Sequence, residues 1–214
     1  MAARASTLQE RPAPPHGPRG PSGEGGGSGR DGDGVVQPVS PARIAVWLFV
    51  GTVTVLFAAF TSTYLARRGG PGWTDVPLPS ILWLSTAILA ISSGVLEWAR
   101  RAGRAGDVGG LRRGVTLTTI LGIGFLAAQL AAWRQLVAAG LYLSSNAHSS
   151  FFYLLTGAHG LHLVGGIAAL LYTVRKVYRA HEPGEALAVT DPTATFWHFL
   201  GILWVYLFIL LFWI

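Results

Sequence analysis

Residues 151–174 read FFYLLTGAHGLHLVGGIAALLYTV, and this stretch decides the fold. Its 24 residues include no Asp, Glu, Lys or Arg. At about 1.5 Å of rise per residue, a helix of this length crosses a hydrocarbon core of roughly 30 Å. Tyr153 and Tyr172 lie near its two ends, where aromatic rings favour the lipid–water interface. We therefore predict a transmembrane helix.

Histidines and glycines distinguish this stretch from a purely apolar span. His159 and His162 are three residues apart, so we expect both side chains to face roughly the same way. Imidazoles inside a membrane are costly unless they face protein or water. Four glycines allow another backbone to come close, namely Gly157, Gly160, Gly165 and Gly166. The stretch therefore predicts a helix that packs inside a bundle.

The composition indicates an integral membrane protein. The 214 residues are 51% hydrophobic and only 12% charged, which is too apolar for a solvated globular surface. The chain has no cysteine, which excludes disulfides, iron–sulfur clusters and thiolate metal sites. The net charge is +6, but most of the arginines flank apolar stretches, where they set membrane topology. We therefore expect no nucleic acid partner.

Two regions differ in composition. Residues 1–40 are rich in Gly, Pro, Ser and Arg, and they contain too little apolar surface to offset the entropy of ordering, so we predict a disordered tail. Residues 41–214 predict an all-α domain, a polytopic bundle with spans at about 44–65, 81–99, 115–133, 151–174 and 196–214. We expect loops at residues 100–114 and 175–194, with Asp191-Pro192-Thr193 starting the last helix.

The distribution of basic residues predicts the orientation. With five spans, the tail and the second and fourth loops lie on one side of the membrane. That side carries thirteen Lys and Arg residues, and the other side carries three. Since basic residues are enriched in cytoplasmic loops, we predict a cytoplasmic N-terminus and a C-terminus on the outside.

The intramembrane histidines allow two interpretations. Neutral imidazole is the commonest metal ligand, so His159, His162 and His198 would fit a haem b membrane anchor. However, the last two spans run in opposite directions, and His162 and His198 are then roughly 8 Å apart along the bundle axis. One metal ion holds its nitrogen ligands within about 2.1 Å of itself. We therefore expect no metal site, and we expect these histidines to bond across helices or to lipid head groups.

Two further polar residues are candidates for a role inside the membrane. Glu97 fits a proton-carrying carboxylate, but Arg100 and Arg101 follow at the i+3 and i+4 positions, which favours an ion pair at the helix end. Gln129 is expected to bond to a neighbouring helix. No catalytic triad or paired carboxylates occur in the sequence, so we predict no catalytic residue in this chain.

Four motifs resemble those of one known family. The run from Phe151 to His162 resembles the signature FxxLTGxHGxH, and Trp197-His198-Phe199 with Trp204 is similar to WHF…W. Trp47-Leu48-Phe49 resembles an opening WLF, and residues 121–129 resemble LGxxFLxxQ. In this order they are the motifs of subunit III of haem–copper terminal oxidases, the cytochrome c oxidase type. Five spans resemble the shorter bacterial form of that family.

The resemblance implies an accessory role in aerobic respiratory electron transport, in the cytoplasmic (inner) membrane of a bacterium. Subunit III holds no haem or copper, which belong to partner subunits. It packs on the catalytic subunit I of a proton-pumping oxidase that also contains subunit II, and such an oxidase also joins larger respiratory supercomplexes. It binds phospholipid in a cleft. The residues implied to line a lipid cleft or helix interface are His159, His162, Trp197, His198, Gln129 and Trp47.

The chain departs from the family pattern at three acidic positions. Val53, Ala132 and Gly201 stand where the family usually has Glu, Glu and Asp. We therefore favour packing, lipid binding and stabilisation over a direct role in proton uptake. One alternative hypothesis is that Glu97 takes the place of the missing acidic residues in proton uptake. A quinol oxidase subunit III and an accessory protein of nitric oxide reductase remain alternatives, since the electron-donor site lies on another subunit.

Overall fold

Five long helices make up the computed structural model, which describes residues 41–70, 73, 79–143 and 147–213. The helices are α1 (Pro41–Arg67), α2 (Ile81–Arg104), α3 (Val108–Ala138), α4 (Ala147–Arg179) and α5 (Pro183–Trp213). Each is long and apolar enough to cross a membrane. The prediction of an all-α bundle of five transmembrane helices is confirmed. The tail predicted over residues 1–40 lies outside the described residues.

The helices extend beyond the predicted spans. Helix α4 has 33 residues, and α3 and α5 have 31 each. At about 1.5 Å per residue they exceed a hydrocarbon core of roughly 30 Å. The loops expected at residues 100–114 and 175–194 were therefore wrong, because α2 and α3 are separated only by residues 105–107, and α4 and α5 only by residues 180–182. The predicted helices ended where the apolar residues end. In the structure the helices continue through the charged residues that flank the apolar stretches.

Pro192 was wrongly predicted to mark the start of the last helix. It lies inside α5, which begins at Pro183, a first-turn position that suits proline. An interior proline removes one backbone hydrogen bond and costs about 3 kcal/mol. Here Pro192 and the nearby Ala194 are buried in the bundle. Tertiary packing therefore overrides the local preference, as it often does in helices.

Four of the helices form a closed bundle. Helices α2, α3, α4 and α5 each pack against the next, α5 packs back against α2, and α1 lies outside against α4 and α5. Large apolar side chains of α1 remain exposed, among them Trp47, Leu48 and Val55 at 64%, 70% and 71%. An apolar surface of this kind must be covered by lipid or by another membrane chain.

The indole of Trp197 on α5 occupies the centre of the four-helix bundle. It is 1% exposed, and its Nε1 donates a hydrogen bond to Ser92 Oγ on α2 at 3.1 Å. A Cβ added at Gly122 on α3 would lie 2.6 Å from its Cη2, and one at Gly166 on α4 would lie 3.4 Å from its Cε3. Both glycines therefore allow the close helix approach that the sequence indicated.

We predict that Gly122→Ala lowers the free energy of unfolding by about 1–3 kcal/mol, because the new methyl group overlaps the Trp197 ring. The measurement is SDS unfolding of the purified chain, followed by circular dichroism. The matched control is Gly124→Ala on the same helix, where an added Cβ has no atom within 4 Å. Equal stability of the two variants would contradict the packing described.

Candidate functional site

Asp191 of α5 connects three helices at one end of the bundle. We call this end, where α2 ends and α3 and α5 begin, the arginine end. The Asp191 carboxylate lies 2.9 Å from Arg100 Nε, 3.5 Å from Arg43 Nη2 and 3.7 Å from Arg104 Nη2. Arg43 belongs to α1, and the other two arginines belong to α2. A single carboxylate therefore links α1, α2 and α5.

Glu97 extends this charged cluster along α2. Its Oε2 lies 2.7 Å from Arg100 Nη1, and its Oε1 lies 3.5 Å from Arg101 Nε. The ion pairs expected from the i+3 and i+4 spacing are therefore present. Both carboxylate oxygens of Glu97 are engaged by guanidinium groups, and Arg100 bridges Glu97 to Asp191.

A cavity of about 260 Å³ opens beside the cluster, between α1, α2 and α5. Three guanidinium groups and one carboxylate line it, from Arg43, Arg100, Arg104 and Asp191, together with Trp47. The charge of the lining is therefore positive. The sequence pattern did not predict this site, since Asp191 fits a helix-start signal together with Pro192 and Thr193. Asp191 and the arginines of α1 and α2 are visible in the sequence. Their ion pairs, however, depend on which helices are neighbours, and the sequence does not specify this.

The three intramembrane histidines lie in different surroundings. His159 is 1% exposed, and its ring contacts Phe125 on α3 and Trp204 on α5. His162 is half-buried and contacts Phe49 of α1, while its Nδ1 lies 2.7 Å from the carbonyl oxygen of Ala158. The two rings contact different helices, although positions i and i+3 are only about 60° apart around a helix of 3.6 residues per turn.

His198 lies on the outer side of α5, where it lines a groove with residues of α2. Its surroundings therefore differ from those of His159 and His162. Within the described ranges, no three His, Asp or Glu side chains form a group able to hold one metal ion.

The remaining residues singled out from the sequence lie at two kinds of position. Gln129 and Trp197 are buried between helices, and Gln129 Nε2 donates to Ser85 Oγ on α2 at 3.1 Å. Trp204 Nε1 likewise donates to Thr86 Oγ1 on α2 at 2.9 Å. Trp47 instead is exposed on α1 at the arginine end, where it lines the cavity. The interior and the surface of the bundle therefore each hold part of the predicted set.

Comparison with known proteins identifies the family. Residues 39–214 match the family model described as cytochrome c oxidase subunit III. The chain belongs to the cytochrome c oxidase subunit III family. It is 33% identical over 175 residues to the probable cytochrome c oxidase subunit 3 of Mycobacterium tuberculosis, covering 79% of this chain and 85% of the relative.

Relatives in other bacteria include subunits of two types of oxidase. The chain is 30% identical to cytochrome c oxidase subunit 3 of Bacillus sp. strain PS3, over 77% of this chain and 82% of the relative. It is 31% identical to the cytochrome bo(3) ubiquinol oxidase subunit 3 of Pseudomonas aeruginosa, over 76% and 79%. The family assignment therefore identifies a multi-pass membrane subunit of a respiratory oxidase, which is an oxidoreductase complex.

Two of the three positions at which the resemblance implies an acidic residue are buried. Val53 is 1% exposed on α1, and Ala132 is fully buried on α3. Gly201 lines the groove between α2 and α5, and an added Cβ would lie 3.5 Å from Ser93 Oγ. An ionised carboxylate at Val53 or Ala132 would be buried and would need a partner to offset its desolvation. Small or apolar side chains at these positions avoid that cost.

We predict that Asp191→Asn lowers the free energy of unfolding by about 2 kcal/mol, because three guanidinium groups lose their shared carboxylate. This is below the cost of breaking a fully buried pair, since Arg43 and Arg104 are 57% and 52% exposed. SDS unfolding measures the change. Glu185→Gln, an exposed acid in the first turn of the same helix, is the control and should have little effect. A similar loss in both variants would refute the linking role of Asp191.

Proposed function

We propose that this chain is a non-catalytic accessory subunit III of a proton-pumping haem–copper terminal oxidase of the cytochrome c oxidase type. The observation that carries the proposal is the family match over residues 39–214, which includes all five helices. The catalytic subunit I and subunit II hold the haem and copper, and this chain binds neither. It packs on subunit I and stabilises it in aerobic respiratory electron transport. The oxidase in turn joins a larger respiratory supercomplex.

The hydrogen bonds made by the motif residues support a packing role. Trp197, Gln129 and Trp204 hydrogen-bond to hydroxyl groups of α2 inside the bundle. Membrane helices depend on such small and polar contacts, because lipid offers no hydrophobic driving force between them. The most visible motifs of this sequence therefore stabilise a rigid bundle. Its exposed apolar faces are left for the partner subunit and for lipid.

The membrane is the cytoplasmic membrane of a bacterium, with the arginine end and the N-terminus facing the cytoplasm. Support comes from the basic side chains at that end, among them Arg100, Arg104 and Arg112 of α2 and α3. At the opposite end, the basic residues are Arg67, Arg68 and Arg134. A surplus of Lys and Arg marks the cytoplasmic side.

Phospholipid is the ligand of this subunit. Two of the residues carried over from the family motifs, Trp47 and His198, line surface cavities next to α5. The other four lie at helix interfaces, where Trp197 and Gln129 hydrogen-bond to α2 and the rings of His159 and His162 contact aromatic side chains of neighbouring helices. This division assigns lipid binding to the outer side of α5 and packing to the interior.

Cytochrome c is the electron donor of the proposed oxidase. A quinol donor is the second candidate, favoured by the likeness to a relative named as a ubiquinol oxidase subunit. An accessory protein of nitric oxide reductase is a further alternative. A haem b anchor is disfavoured, because His159, His162 and His198 face different neighbours.

Co-purification tests the accessory role. The full chain, tagged at its N-terminus, is extracted from its native membrane in mild detergent, and the copurifying chains are identified by mass spectrometry. We expect a large haem-bearing subunit, with a reduced-minus-oxidised haem spectrum that is lost when the two chains are separated. A copper-binding subunit II would indicate cytochrome c as donor, and its absence would indicate quinol. A chain that purifies alone with a haem b spectrum would overturn the proposal.

Glu97 has a structural role in this proposal, since both of its oxygens pair with arginines. We predict that Glu97→Gln leaves the rate of proton uptake and the lifetime of the oxidase during turnover unchanged within about twofold. The expectation rests on the small net contribution of partly exposed ion pairs. Stopped-flow proton uptake and repeated turnover assays measure both quantities. A tenfold slower uptake with intact assembly would instead assign proton transfer to this carboxylate.

A further inference from the structure

A layer of polar side chains crosses the interior of the four-helix bundle. Ser85 and Thr86 come from α2, Gln129 from α3, His159 from α4 and Trp204 from α5. All of them except Thr86 are at least nine-tenths buried. Because buried polar groups in proteins are almost always hydrogen-bonded, each donor and acceptor of this polar layer needs a partner.

Contacts between α3 and α4 place Gln129 and His159 at the same level of the bundle. The ring of Phe125, one turn before Gln129, lies 6.3 Å from the ring of His159. Trp133, one turn after Gln129, donates its Nε1–H to Thr156 Oγ1 on α4 at 3.1 Å. Residues four apart share one face of a helix. Gln129 therefore lies beside the segment of α4 that runs from Thr156 to His159.

Trp204 of α5 joins the layer from the other side. Its ring centroid lies 5.3 Å from that of His159, and its Nε1 donates to Thr86 Oγ1 on α2 at 2.9 Å. Gln129 Nε2 donates to Oγ of Ser85, the residue before Thr86, at 3.1 Å. Side chains of four helices therefore meet in the polar layer.

The hydroxyl groups of the layer have already used their protons. Ser85 Oγ and Thr86 Oγ1 both donate to the carbonyl oxygen of Leu82 at 2.8 Å. Thr156 Oγ1 donates to the carbonyl oxygen of Phe152 at 2.6 Å. A hydroxyl group carries one O–H donor, so these three can only accept further hydrogen bonds.

This use of protons leaves three buried groups of the layer without a partner. Since Ser85 can only accept, the Gln129 amide presents its NH2 group to Ser85, and its Oε1 points elsewhere. Among the described residues, neither Gln129 Oε1 nor either ring nitrogen of His159 has a hydrogen-bond partner. A neutral imidazole has one N–H donor and one acceptor nitrogen. Two acceptors and one donor are therefore unpaired.

A direct bond between the two side chains would not complete the layer. If the imidazole N–H donated to Gln129 Oε1, the second ring nitrogen of His159 would stay buried without a donor. Leaving a buried acceptor unpaired costs its full desolvation. The layer therefore lacks an O–H donor, and a water molecule brings two.

We infer that a water molecule binds inside the bundle between His159 and Gln129. One O–H group donates to Gln129 Oε1, and the other donates to the acceptor nitrogen of the imidazole. The imidazole N–H lies among the rings of Phe125 and Trp204, whose faces accept weak hydrogen bonds. The water thereby links α3 to α4 at a level where α2 and α5 also meet. This binding site goes beyond the proposed function and does not depend on it.

Solid-state NMR of the full chain in lipid bilayers tests for the water directly. The histidines carry 15N, and the His159 signals are those missing from His159→Phe. We expect magnetisation transfer from water to the His159 ring, and a non-protonated ring nitrogen whose 15N shift is that of a hydrogen-bond acceptor. His181, which is exposed beyond α4, provides the reference for a hydrated imidazole. A His159 ring without transfer from water, or one bonded directly to the Gln129 side chain, would overturn the inference.

A pair of variants on other helices shows which side chain holds the water. Gln129→Met keeps the length of the side chain but removes its oxygen, and it should abolish the transfer from water to His159. Ser92→Ala is the matched control, because Ser92 is another buried serine of α2 that accepts from an indole, that of Trp197. Transfer should persist in this variant. Transfer that persists equally in Gln129→Met would contradict the site.

A double-variant cycle measures the energetic link through SDS unfolding. His159→Phe and Gln129→Met should each raise the equilibrium constant of unfolding by about tenfold, because each leaves the other partner unpaired. Together they should raise it by well under the hundredfold expected of independent sites. The lost bond between Gln129 and Ser85 is common to both backgrounds and cancels in the cycle.

The control cycle pairs His159→Phe with Ser92→Ala, whose effects should multiply, since they share no hydrogen bond. Effects that multiply equally in both cycles would overturn the inference. The NMR measurement on the unaltered chain decides the matter if a variant fails to fold. None of these measurements reads partner chains or haem, so the accessory role is decided separately by co-purification.

Discussion

The close contact between the Trp197 indole and the helix backbones around it is the constraint on which the bundle depends. The ring lies against Gly122 of α3 and near Gly166 of α4, and it bonds to Ser92 of α2. One side chain of α5 thus fixes its distance to the other three helices of the bundle. In a membrane this contact cannot be replaced by general hydrophobicity, because lipid is as apolar as the core. Glycine and serine at these positions are therefore as important as the tryptophan itself.

Helix α1 is attached by a different kind of interaction. Its arginine end is linked to α5 through Arg43 and Asp191, and further along the Tyr206 hydroxyl donates to Thr61 Oγ1 at 2.9 Å. Between these two points, ring contacts join Phe49 to His162 of α4 and to Phe196 of α5. These contacts are fewer and less enclosed than those around Trp197. They leave room along α5 between α1 and α2, where three cavities open.

This architecture is consistent with a subunit that serves an oxidase by packing. A rigid four-helix bundle offers a fixed surface to a partner, while the loosely packed α1 side offers cavities for lipid. The buried positions Val53 and Ala132 are part of the apolar packing. Charge is concentrated instead at the arginine end, where Glu97 and Asp191 are held by arginines. In the proposed orientation, this end meets the cytoplasmic head groups.

The sequence by itself determined the number of helices, their membrane character and the family, because apolar length and the spacing of motif residues are local properties of the chain. It also predicted the pairing of Glu97 with Arg100 and Arg101, which are neighbours on one helix. It placed the helix ends too early and read Pro192 as a helix start, since a helix continues past its apolar residues and packing overrides a proline. Only the tertiary structure decided that Asp191 meets Arg43 and Arg104, and that His159 and His162 face different helices. These contacts depend on which helices are neighbours and how each is rotated, and no local pattern of residues specifies either.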